Sequence, residues 1–220
     1  MSYFIEKCAY NYGAKMILLS ETEEEKIYYS IFTYEEALHQ KEFDKFITNK
    51  PTPSSPIHPL LNPLTRCIEQ AEKDASVFVV QVLLGGYGMY IYKSLSETTI
   101  SRDLQNVYKK IVQEEAGHHG SGLLIAEKES IDEKAQAEIL DYTWEFSEAI
   151  QNPCMIRQAL ELVHGKMSST QFKNILDSMF YAVNAQQRLD LLKNLLKRFD
   201  HWNIFQKLDK KNAFTYKEML

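Results

Sequence analysis

Two stretches of this sequence repeat one pattern of acids and histidine. One is Tyr34-Glu35-Glu36-Ala37-Leu38-His39 and the other is Gln113-Glu114-Glu115-Ala116-Gly117-His118. On a helix, residues at i and i+3 share a face, so Glu36 with His39, and Glu115 with His118, each present a carboxylate and an imidazole to one point. Nitrogen and oxygen donors of that kind suit iron or manganese. Each pair follows a Ser-Glu-Thr turn signal, Glu36 by 16 residues after Ser20 and Glu115 by 19 after Ser96. Each therefore sits on the second helix of a helical hairpin. Glu35, Glu114 and His119 point off this face and read as surface or supporting residues.

Partners for these pairs follow from hairpin geometry. Residues equally far from a turn lie at one level, each step being ~1.5 Å. Reflecting Glu36 through a turn near residue 21 lands on Glu6, the only acid of the first helix. Reflecting Glu115 through a turn near 97–98 lands on 79–81, where Gln81 is the only polar residue. A neutral amide is a weaker ligand than a carboxylate. Either Gln81 ligates one ion loosely, or that ion is labile, or one ion alone binds. A register shifted by one turn would instead place Gly85 or Gly86 there. On the first register, Gln81→Glu should tighten metal binding.

The elements that must position these residues read as helices. Apolar residues recur at helical spacing in 3–19 and again to about Thr48, where Ile27, Ile31, Tyr34, Leu38 and Phe46 form the stripe. Five prolines between Asn49 and Pro63 demand an extended crossing. Helices are expected at about 64–95, to 128, at 131–151 and 154–167, and from 170 to 208 without interruption. Two hairpins joined by one long crossover make a four-helix bundle over 1–128, followed by about three helices in 129–220. The chain has 220 residues, 45% of them hydrophobic and 25% charged, enough for a sizeable core. Its formal charge of −5 argues against nucleic acid as a partner. No uninterrupted apolar run reaches the ~18 residues of a membrane span, and the N-terminus lacks the layout of a signal peptide. Cys8, Cys67 and Cys154 make neither a zinc pair nor a disulfide framework, so a reducing cytoplasm is expected.

On the paired Glu36/His39 and Glu115/His118 motifs, residues 1–128 resemble the ferritin-like di-iron carboxylate superfamily. That superfamily includes rubrerythrin, the ribonucleotide reductase small subunit and aldehyde-deformylating oxygenase. The resemblance implies an all-α ferritin-like bundle holding two iron or manganese ions that activate O2 or peroxide on a small organic substrate. In that setting Glu36 and Glu115 would bridge the ions, His39 and His118 would each bind one, and Glu6 and Gln81 would be terminal ligands. A third pair, Glu161 and His164, is read as structural. Gly85 and Gly88 share the face of Gln81 and would open a substrate pocket there, and Tyr10 lies one turn from Glu6 at its edge. Long helical faces leave room for a homodimer. Two rivals stand beside this reading: a haem-oxygenase-like helical enzyme, and a helical scaffold with a degenerate metal site.

Overall fold

The computed structural model describes residues 1–48, 58–128, 131–198 and 203–218, and every regular element among them is helical. These residues form two compact units, one of 1–48 with 64–139 and one of 58–63 with 140–218. The division falls inside a helix, after Ile139, rather than at residue 128.

The first unit begins with α1 (Ser2–Leu19) and α2 (Glu23–Asp44), packed side by side as a hairpin. The Thr22 hydroxyl caps α2 by accepting from the Glu25 N–H at 3.1 Å, and Glu23, Glu24 and Glu25 face the positive end of the helix dipole. After α3 (Leu61–Gln70), a helical run from Lys73 to Thr98 has three parts. They are α4 (Lys73–Ser76), a π-helical stretch Val77–Leu84 and α5 (Gly85–Thr98). All eight residues of the π stretch are buried. This run is long and apolar enough to cross a membrane, but 72% of its most apolar window is buried within the fold, as in a core helix. A return helix, α6 (Arg102–Lys128), packs along the π stretch and α5, and it also touches α2. Gly122 makes that approach possible, since a Cβ there would stand 2.5 Å from the Gln81 Cβ. Tyr12, Met16, Tyr29, Phe32 and Phe78 fill the core near the middle, and Phe43, Tyr92, Tyr108 and Ile111 fill it lower down. Next comes α7 (Glu133–Ile150), in which the division between the units falls. The second unit continues with α8 (Cys154–His164), α9 (Ser169–Ser178), α10 (Tyr181–Lys197) and α11 (Ile204–Lys210). Phe172, Leu176, Tyr181 and Ala185 form one of its core clusters.

Several local expectations change. Residues 49–57 of the proline-rich crossing lie outside the described residues. Pro63 is inside α3, in the first turn, where a missing N–H removes no helical hydrogen bond. The helix expected at 64–95 breaks at Ala71-Glu72 and then runs on to Thr98, so the turn occupies 99–101. The long terminal helix is cut where Phe180 adopts φ 52°, a left-handed conformation that no helix continues through. The Ile27, Ile31 and Tyr34 stripe of α2 is 60%, 54% and 64% exposed. The buried face instead carries Tyr29, Phe32, Glu36, His39 and Phe43. The three cysteines are free thiols.

Candidate metal centre

The buried face of α2 supplies Glu36 and His39, α6 supplies Glu115 and His118, and α1 supplies Glu6. The structure brings all five together. Donor atoms of Glu6, Glu36, His39 and Glu115 all lie within 4.8 Å of one another. His39 Nδ1 is 3.4 Å from Glu6, 3.5 Å from Glu36 and 3.2 Å from Glu115. His118 Nδ1 is 2.9 Å from Glu36 and 3.6 Å from Glu115. Glu36 and Glu115 thus stand between the two imidazoles. Two donors each ~2.1 Å from one ion and at right angles to each other stand about 3 Å apart, so these separations fit shared ions.

Outside this group the two histidines are held crosswise. His39 Nε2 contacts Glu114 at 2.9 Å, and His118 Nε2 contacts Glu35 at 2.8 Å. Each carboxylate accepts from the imidazole of the opposite helix, leaving both Nδ1 atoms turned inward. Glu35 and Glu114 are therefore supports rather than plain surface acids. The Phe32 ring lies against His118 at 4.2 Å between centroids. The Tyr92 hydroxyl donates to Glu6.

Three atoms of the group, Glu36 Oε2, His39 Nδ1 and His118 Nδ1, are buried without a hydrogen-bond partner. Burial of such atoms costs roughly 1–3 kcal/mol each unless something else satisfies them. A cation between them would do so, and the oxygen and nitrogen donor set fits iron or manganese.

The charges follow from this crowding. Burial would push the His118 imidazole down, but Glu115 and Glu36 outweigh it and raise its pKa to about 10. His39 behaves alike, driven far above the ordinary histidine range by Glu115, Glu36 and Glu6 against its burial. Burial opposes ionisation of Glu36, yet contacts with His118 and His39 hold it down at about 2. For Glu6 burial wins over the His39 contact, and its pKa rises well above the carboxylate range, helped by the charges of Glu36 and Glu115.

Gln81 is not brought to the group. Its Oε1 accepts from Tyr12 at 2.9 Å and Tyr29 at 3.2 Å. Its Nε2 donates to the Tyr28 hydroxyl at 2.9 Å and the His118 carbonyl at 3.2 Å. Both ends of the amide are used, and its backbone carbonyl accepts from His119 Nδ1 at 3.0 Å. The turn at 99–101 is centred on Ile100, so the residue level with Glu115 is Gly85. Gln81 positions the backbone of His118 instead. We therefore expect Gln81→Glu to leave metal binding no tighter and to destabilise the fold by about 1–3 kcal/mol, because a carboxylate cannot donate to Tyr28 or to the His118 carbonyl. Urea unfolding and metal analysis would check this, and tighter metal binding would restore the ligand role.

A cavity of about 50 Å³ adjoins the group, lined on one side by Val80, Leu84, Gly85 and Gly88 and on the other by Glu6, Glu36, Glu115 and His118. Tyr10 is not part of it and is 40% exposed. The inward face of α1 runs through Glu6, Ala9 and Gly13, at i+3 and i+7, which leaves the i+4 position outside. Tyr92 lines the cavity in its place. It shares a face with Gly85 and Gly88 at i+7 and i+4, a signal open to sequence reading. Glu161 accepts from Arg157 at 3.1 Å and no residue of α8 is buried, so the third Glu/His pair is structural. No family model matches the chain, and no curated protein or solved structure matches it.

Proposed function

We propose that this protein is a non-haem di-metal oxidoreductase of the ferritin-like carboxylate kind, acting on a small organic substrate. The unpartnered His39 Nδ1, His118 Nδ1 and Glu36 Oε2, turned toward one another in the core, carry this reading. Glu36 and Glu115 would bridge two ions, His39 with Glu6 would complete one side, and His118 would face the other. Iron or manganese bound there would supply the redox or Lewis-acid chemistry that O2 or peroxide activation requires. The chain's own residues prepare that chemistry. Glu114 and Glu35 hold each imidazole with its Nδ1 lone pair inward. Tyr92 donates a hydrogen bond to Glu6, fixing that carboxylate and keeping a hydroxyl proton at the cavity wall. Val80, Leu84 and Phe32 give the cavity beside the group apolar walls.

Anaerobic titration with Fe(II), or titration with Mn(II), followed by metal analysis tests the reading. Saturation near two ions per chain is the expected result. One ion would reduce the centre to the Glu6, Glu36, His39 and Glu115 group. None would overturn the proposal and favour a helical scaffold.

A further inference from the structure

The two halves of the centre are not equally furnished. Three carboxylates face His39 Nδ1, those of Glu6, Glu36 and Glu115. His118 Nδ1 faces only the two shared ones. Glu6 is the acid that α1, the first helix of the first hairpin, contributes. At the matching level of the second hairpin stands Gly85, which has no side chain to offer. A Cβ on Gly85 would stand in ordinary contact with the His119 Cβ at 3.6 Å, but one turn on a Cβ on Gly88 would meet nothing within 4 Å, and the cavity of about 50 Å³ lies there. One water needs about 10–15 Å³ measured this way, so the space admits a group of a few heavy atoms.

We propose that this cavity binds a short-chain monocarboxylate, its carboxylate beside His118 and its tail against Val80 and Leu84. The ligand supplies from outside the donor that Glu6 supplies from within. This inference rests on the metal reading of the same centre.

Calorimetric titration with Mn(II), with and without saturating acetate, tests it. Acetate should tighten the second Mn(II) step by about tenfold and leave the first unchanged, as linkage between neighbouring ligands requires. Gly88→Leu fills the cavity and improves helix propensity, and should keep both steps while losing the acetate effect. Gly85→Glu installs the missing carboxylate, and its second step should be tight without acetate. Two Mn(II) bound with no response to acetate would overturn this inference alone, as would an acetate effect that persists in Gly88→Leu. No Mn(II) bound under either condition would overturn the metal reading and this inference together.

Discussion

Glu36→Gln is expected to lose both ions while keeping its fold. Glu36, like Glu115, reaches both imidazoles, with Oε1 at 2.9 Å from His118 Nδ1 and Oε2 at 3.5 Å from His39 Nδ1, and it is the more deeply buried of the two. Glutamine keeps the shape and removes the charge, so the packing of the buried face of α2 should survive. A carboxylate supporting a ligand from outside typically contributes 10–100-fold in affinity, and a bridging ligand should exceed the upper end, roughly more than 100-fold. Glu35→Gln and Glu114→Gln provide the comparison. Each loosens one histidine across the helix pair and should weaken binding within that 10–100-fold range. Metal analysis after dialysis, with circular dichroism to confirm helicity, separates the cases. A Glu36→Gln protein that retains two ions would show that the group is a buried ionic cluster and nothing more.

The contrast between Glu6 and Gln81 shows how far the sequence could be read. Reflection through the first turn reached Glu6 because α1 and α2 are regular and their turn occupies Ser20–Thr22, where the sequence marks it. The same construction failed in the second hairpin for two physical reasons. The helix runs through Ser96 and Glu97 to Thr98 before turning, because Ser and Thr side chains can bond back to helix carbonyls, as Ser96 does to Lys93 at 2.7 Å. The stretch Val77–Leu84 is π-helical, and its i→i+5 bonding spends more residues per turn, so counting residues no longer gives the facing. Nothing in a run of Val, Phe and Leu announces that change. The α2 stripe misled for another reason. Its buried face mixes Glu36 and His39 with Tyr29, Phe32 and Phe43, so apolar periodicity alone selected the exposed Ile27, Ile31 and Tyr34. Where a helix buries polar donors, the chemistry of those donors is the better guide to its inward face.

Protons stand where cations would bind, and this makes the stability of the metal-free protein fall as pH rises from about 6.5 to 8.5. The folded state holds His118 protonated up to about 10 and His39 beyond that, whereas unfolded histidine loses its proton near 6.5. Across this window the native state binds more protons than the unfolded chain, so each upward step in pH favours unfolding, by up to about 1.4 kcal/mol per unit for each extra proton. Glu6, raised well above the carboxylate range, acts in the same direction. Glu36, held at about 2, contributes stability that is present throughout this window and is lost as pH falls from the ordinary carboxylate range through about 2. Cys67 is pushed up to about 12 by burial and does not titrate in this window in the native state. The metal-loaded protein must behave otherwise. An imidazole that gives its Nδ1 lone pair to an ion cannot hold a proton on that atom, so loading releases protons and its affinity rises with pH. The gap in melting temperature between loaded and metal-free protein should therefore widen from pH 6.5 to 8.5, and Mn(II) titration should release protons into a weakly buffered solution. A metal-free protein whose melting temperature stays level across that range would mean that His39 and His118 are neutral in the fold. The three carboxylates facing Nδ1 would then lack counter-charges in the metal-free fold, while the crosswise contacts with Glu35 and Glu114 would persist through the Nε2–H groups.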